Sequence, residues 1–130
     1  MDRIDEKLLD KLSQEARDNE RLRMNYNLHQ HLDDNVQRLL NALEPGTEIP
    51  IHRHRYATET YILLRGRIKV YFYNANKELQ SETLLDVGGG CYGIHIPAGQ
   101  WHALEVLESG SVIFEVKEGP YTPLTSDDIL

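Results

Sequence analysis

The strongest constraint on what this chain can fold into is its punctuation. After the middle of the first half, turn-forming groups recur at short intervals: Glu44-Pro45-Gly46, the loop from Arg55 to Thr58, Arg65-Gly66, Asn74-Ala75-Asn76-Lys77, Gly88-Gly89-Gly90, Pro97-Ala98-Gly99 and Glu108-Ser109-Gly110. Intervals of roughly eight to twelve residues leave room for strands but not for ordinary helices. The runs between them are read as strands: Thr47 to His54, Glu59 to Leu64, Arg67 to Tyr73, Glu78 to Val87, Cys91 to Ile96, Trp101 to Leu107 and Ser111 to Val116. Two more precede them. Leu22, Met24, Tyr26 and Leu28 alternate with polar residues, and Val36 to Leu43 follows the Asp33-Asp34-Asn35 turn. Only one segment has helical spacing, from Ile4 to Arg17, where Ile4, Leu8, Leu9, Leu12 and Ala16 share a face. Asp5 is placed to cap it, Ile4 to staple onto Leu9, and the Asp18-Asn19 pair to close it. Many short strands with helix only at the N-terminus predict an all-β sandwich or barrel.

With 130 residues the chain holds one domain. Residues 1–20 carry the helix, 21–118 the barrel, and 119–130 a tail that straps over the surface or meets a dimer partner. Fourteen Lys and Arg against 21 Asp and Glu give a net charge of −7, which argues against nucleic acid as a partner. The single cysteine, Cys91, has no intramolecular partner, the stretch Met1 to Leu12 has no apolar leader, and no run approaches the roughly 20 apolar residues that span a bilayer. These features predict a cytoplasmic protein without membrane contact.

The segment from Gly46 to Gly66 carries the chemistry. His52 and His54 are one residue apart on an expected strand, so both imidazoles leave the same face with Cα atoms about 7 Å apart. Glu59 lies past a short loop at the start of the next strand, within swing of the same point, and His102 heads a later strand that a small barrel can bring opposite. Three imidazoles and one carboxylate would then converge. For Glu59 the bland alternative is a surface partner for Arg53 or Arg65, worth little. A second set of polar groups, Arg23, Asn25, Asn27 and His29, forms a row of directional hydrogen-bonding side chains on the first strand, read either as a substrate-binding surface or as a polar sheet edge. Tyr61 shares parity with Glu59 and should point inward, as a core aromatic or as a proton donor. His95 is read as a rim residue, Trp101 as an outer-wall anchor, Cys91 as an inert thiol, and the three glycines, which lack the Lys-Ser/Thr of a phosphate loop, as a turn.

Gly46-x5-His52-x-His54-x4-Glu59-x6-Gly66 resembles the first cupin motif, and Pro97-x-Gly99-x-x-His102 resembles the core of the second. The chain departs from the second pattern at Cys91, where a Gly is usual, and at Val106, where an Asn is usual. Outside the motifs, Arg23-x-Asn25-x-Asn27-x-His29, the stretch Gln37 to Gly46, and Phe114-Glu115-Val116-Lys117-x-Gly119-Pro120-Tyr121 look like the WbuC family of small bacterial cupin metalloproteins. The resemblance implies a cupin jelly roll, or double-stranded β-helix, with a divalent metal held inside by His52, His54, Glu59 and His102. It also implies a homodimer and a place among O-antigen and other surface-polysaccharide genes. It lifts His29 and Asn27 toward a pocket-lining role.

Nitrogen and carboxylate ligands suit Fe, Mn, Ni, Co or Zn alike. Four protein ligands on an octahedral ion leave two positions for water or substrate, compatible with isomerase, epimerase, lyase or dioxygenase chemistry. The expected function is a metal-dependent enzyme acting on a small carbohydrate-like metabolite, with Tyr61 and His29 as catalytic candidates and Arg23, Asn25 and Asn27 as substrate contacts. The alternatives are a non-catalytic metal-dependent binding or sensor protein, and a closed structural metal that staples the fold.

Overall fold

A computed structural model describes residues 3–130; the sequence expectation for the leader region at Met1 and Asp2 falls outside them. The helix α1 runs over Glu6–Asp18. The Asp5 side chain accepts from the Leu8 amide at 3.0 Å, satisfying one of the amides a helix N-terminus leaves unpaired, and the Asn19 amide returns to the Ala16 carbonyl. Leu9, Leu12 and Ala16 are buried, as the spacing requires. Ile4 remains about half exposed.

Eight strands follow: β1 (Arg23–Asn27), β2 (Val36–Leu43), β3 (Glu59–Arg65), β4 (Arg67–Tyr73), β5 (Leu79–Asp86), β6 (Gly93–Ile96), β7 (Trp101–Val106) and β8 (Ser111–Glu118). They form two antiparallel sheets, one ordered β1-β2-β8-β3-β6 and the other β5-β4-β7. This is the all-β architecture with an N-terminal helix that the punctuation predicted, and its two sheets are those of the jelly roll that the motif resemblance implied. Leu43, Leu63, Ile113, Ile68, Val70, Leu85, Leu104 and Val106 fill the space between the sheets. The outer side of the larger sheet is covered by α1, whose Leu9, Leu12 and Ala16 pack on Leu40, Ala42 and Val112. Each Leu so buried stabilises the fold by about 1.5–3 kcal/mol before chain entropy is charged.

One expected strand is absent. Thr47 to His54 is irregular, with isolated bridges from His52 to His102 and to Ile129. Pro50 has no amide to give a ladder, and Gly46 bends the chain at φ +96°, so the segment cannot pair continuously. The Gly88 triplet forms a short 3-10 turn over Val87–Gly89, as its composition suggested. Gly66 is required by the fold. Its φ is +93°, and a Cβ there would drive into Ser111, which is buried and bonded to the Glu108 carbonyl and to the Arg67 amide.

Arg65, at the end of β3, ties the helix to the barrel. Its guanidinium reaches Asp10 at 2.7 Å, Glu6 and Ser13 Oγ at 3.0 Å and the Gly110 carbonyl at 3.0 Å. The tail after β8 straps across the irregular segment: the Arg53 amide donates to the Asp128 carbonyl, the Leu130 amide to the Ile51 carbonyl, and the Asp128 carboxylate receives Arg53 and Arg55 at 3.4 and 3.1 Å. No described helix is long and apolar enough to cross a membrane.

Candidate metal centre

Glu59 opens β3 and His102 is the second residue of β7, so the two sheets deliver them from opposite walls. His52 is held beside His102 by reciprocal backbone hydrogen bonds of 3.0 and 2.8 Å, and His54 follows on the same irregular segment. One donor atom from each of His52, His54, Glu59 and His102 lies within 4.8 Å of the others. His102 Nε2 is 2.9 Å and His54 Nε2 3.3 Å from the same Glu59 oxygen. Donors at right angles about an ion with bonds of about 2.1 Å stand about 3.0 Å apart, so the two shorter separations match those of ligands on a shared cation.

The protons tell the same story. His52 Nδ1 lies 2.9 Å from the Pro50 carbonyl and His102 Nδ1 2.9 Å from the Gln100 carbonyl. A carbonyl only accepts, so each Nδ1 carries a hydrogen and each ring turns its Nε2 toward the centre. Burial lowers the His52 pKa to about 4, with the neighbouring His102 and His54 adding to the effect, and burial likewise lowers that of His54. Burial alone would raise Glu59, but the hydrogen bond from His102 and the charges of His54, His102 and Lys117 outweigh it and keep the carboxylate ionised. Three imidazole nitrogens and an ionised carboxylate gathered at one point form a donor set that can hold a cation in place of the protons they now share.

Tyr61 joins this group, as its parity predicted. Its hydroxyl donates to Glu59 at 3.4 Å and stands 3.5 Å from His102 Nε2. Burial, with Glu59 and Glu115 nearby, raises its pKa well above the ordinary phenol value, so it keeps its proton at neutral pH. The row on β1 lies elsewhere. Register pairs Asn25 with Asn41 and Asn27 with Leu39, so those side chains face the barrel side of the sheet, but β2 and β8 separate them from β3 by three strand spacings, roughly 14 Å. Asn25 and Asn27 are exposed, and Arg23 donates to the Glu48 carbonyl at 2.9 Å. His29 is buried in the loop after β1, its Nδ1 3.1 Å from the Arg38 amide and its Nε2 unpartnered. The structure therefore brings Tyr61, but not Arg23, Asn25, Asn27 or His29, to the four convergent side chains.

Three residues on the same wall escaped the sequence reading. Glu115 sits opposite Tyr61 and Lys117 opposite Glu59 across the β3–β8 ladder, while Asn41 faces the same interior from β2. Burial and the nearby Glu59 push the Glu115 pKa up to about 8, partly offset by Lys117 and Asn41, and the Asn41 Oδ1 is buried without a partner. Their signal was present: Glu115 and Lys117 keep parity with Ile113, which any barrel reading of β8 must turn inward. His95 lies on the exposed rim against Thr60, and Trp101 packs outside the barrel beneath Arg53 at 4.5 Å, as expected. A cavity of about 510 Å³ between the tail and the barrel mouth is lined in part by His54, Arg55 and Lys117, and meets the candidate centre at His54.

Residues 4–85 match the family model of a domain of unknown function, DUF6016. The chain belongs to the DUF6016 family. The matched DUF6016 segment includes His52, His54 and Glu59, while His102 comes from the remainder of the fold. No curated protein matches the chain. Among solved structures it is similar to the capsular polysaccharide assembling protein CapF of Staphylococcus aureus, with TM-score 0.65 and 20% identity over 81% of this chain and 30% of CapF. It is also similar to BH2720 of Bacillus halodurans, with TM-score 0.64 and 21% identity over 85% of this chain and 80% of that one. The cupin domain of Cnp3 from Schizosaccharomyces pombe matches with TM-score 0.59 and 12% identity over 74% of this chain and 64% of that domain. This DUF6016 chain therefore has the cupin fold, as its two motifs implied.

Proposed function

We propose that the protein holds one divalent transition ion on His52, His54, Glu59 and His102 and is a metal-dependent enzyme for a small, oxygen-rich, sugar-like metabolite. The observation that carries this reading is the pair of Nδ1–carbonyl hydrogen bonds, which turn Nε2 of His52 and of His102 toward the point where the four donor atoms converge. When bound, such an ion polarises a carbonyl or acidifies a coordinated hydroxyl. The chain's own residues do the rest. The His54 side of the group faces the cavity and admits a ligand, the tail strap covers the mouth, and Tyr61 keeps a proton on a hydroxyl directed at the metal-binding oxygens. A positioned proton donor distinguishes an enzyme from a mere carrier, and Tyr61 favours the enzyme reading.

The likeness of residues 23–29, 37–46 and 114–121 to WbuC proteins, together with the likeness in fold to CapF, supports a link to surface-polysaccharide (O-antigen) biosynthesis. We place the protein in the cytoplasm as a homodimer, an assembly that would cover Ile62 and Leu64, exposed on the outward side of β3 beyond the helix. The testing experiment is elemental analysis of untagged protein purified without added metal, beside a His52→Ala/His54→Ala control. About one equivalent of metal in the first and none in the second, with the circular dichroism of the two superimposable, is the expected result. No metal in either, and none taken up on titration, would sink the proposal.

A further inference from the structure

Lys117 is a cation whose charge bears on the candidate centre. It stands directly across the β3–β8 ladder from Glu59 on the barrel-facing side, and its charge is close enough to bear on His54, Glu59 and Glu115. It lines the 510 Å³ cavity with His54 and makes no salt bridge among the described residues; its ammonium rests 5.8 Å from the Tyr121 ring centre. Of the three acidic residues at the same mouth, Asp127 gives its backbone carbonyl to Arg53 and the other two have their carboxylates engaged. Glu118 accepts from the amide and hydroxyl of Thr58, both at 2.8 Å, and Asp128 is bound to Arg53, Arg55 and Thr125. A strongly hydrated ammonium is costly to hold half-buried without a partner, unless a ligand supplies one.

The charge balance points the same way. With a divalent ion in place, Glu59 cancels one of its charges and Lys117 adds one. The floor of the cavity stays positive whether or not Glu115 is ionised.

We propose that Lys117 anchors a carboxylate on the ligand of this site, so that the protein selects anionic, carboxylate-bearing small molecules over neutral ones with the same metal-binding oxygens. The inference rests on the metal reading above and adds the substrate class. Lys117 is a specificity residue in it: it meets the charged end of the ligand while the other end reaches the ion. Arg53 and Arg55 hold the tail and stay paired to Asp128.

The test uses the full chain loaded with Co(II), its metal content measured first, and two probes that share a hydroxypyranone chelating group: kojic acid, which is neutral, and comenic acid, which carries a carboxylate in place of the hydroxymethyl group. The visible bands of the bound Co(II) report binding. Comenate is expected to bind at least about tenfold more tightly than kojic acid. Lys117→Met should abolish that preference while kojic acid binding is kept, and Lys117→Arg should retain it. Equal affinity for the two probes in the wild type, or a preference that survives Lys117→Met, overturns the anchor and leaves the metal site standing. Protein that takes up no Co(II) overturns the metal reading and the anchor with it.

Discussion

Removing the His52 ring should change how metal-free protein responds to acid, by an amount the structure fixes. His52 is only 9% exposed, and burial lowers its pKa from 6.5 to about 4. In the unfolded chain the same imidazole takes a proton near 6.5, so between the two values the unfolded state binds a proton that the folded state refuses. Stability is therefore unaffected above about pH 7, falls as the pH drops below 6.5, and stops falling near 4. The shift is worth about 3 kcal/mol in full, since one pKa unit corresponds to about 1.4 kcal/mol, and about 2.5 kcal/mol of it is felt by pH 4.5. Glu115 titrates in the opposite sense. Its raised pKa gives stability that is present below the unfolded value and lost as the pH rises through about 8, so the wild-type curve alone does not isolate His52. The difference between wild type and His52→Asn does. Urea unfolding of chelator-treated protein at pH 7.5, 6.0, 5.0 and 4.5 should show the variant gaining on the wild type by about 2.5 kcal/mol across that range. A difference that stays constant from pH 7.5 to 4.5 would refute the reasoning, because it would mean that the buried ring accepts its proton as readily as an exposed one.

Other substitutions probe the frame around the centre. Ile113→Ala, at a fully buried position between the sheets, should cost about 2–5 kcal/mol in urea unfolding. Gly66→Ala should lower the melting temperature more than an ordinary surface substitution, because it adds strain at φ +93° to a collision with Ser111. Arg65→Ala should cost about 1–2 kcal/mol and reduce amide-exchange protection in α1; the ion pairs to exposed Glu6 and Asp10 supply little of this, and the lost partners of Ser13 and the Gly110 carbonyl most. Metal-loaded protein should hold its ion at pH 6 and release it as the pH falls toward and below about 4, where protons compete for the buried His52 imidazole, and retention well below that pH would argue against a histidine-rich ligand set.

Much of this architecture could be read locally. Asp5 caps α1 because a short acidic side chain just before an apolar-periodic run has an unpaired amide within reach, and β2 spans Val36–Leu43 because turn residues bound it on both sides. Parity on β3 put Tyr61 beside Glu59, and the motif spacing grouped His52, His54, Glu59 and His102 before any coordinates did. Local reading failed where pairing partners decide. Thr47 to His54 has strand composition but no neighbour it can ladder against around Pro50, so it stayed irregular. The polar row from Arg23 to His29 has the parity of a site, yet its distance from the centre depends on β2 and β8 lying between, which is a matter of strand order.

By itself the sequence determined the alternation and the turn positions, because these depend on bonds and contacts within a few residues, and its two motifs named the four candidate ligands by resemblance. Only the tertiary structure decided what meets across the barrel. Glu59 and His102, 43 positions apart, come within 2.9 Å because two different sheets close on one another. Lys117 faces Glu59 because β8 lies beside β3, and the tail covers His54 because Asp128 finds Arg53 and Arg55. Such encounters are set by which strands pair and in what register. A chain with the same local pattern and a different strand order would keep its histidines and have no pocket to hold them over.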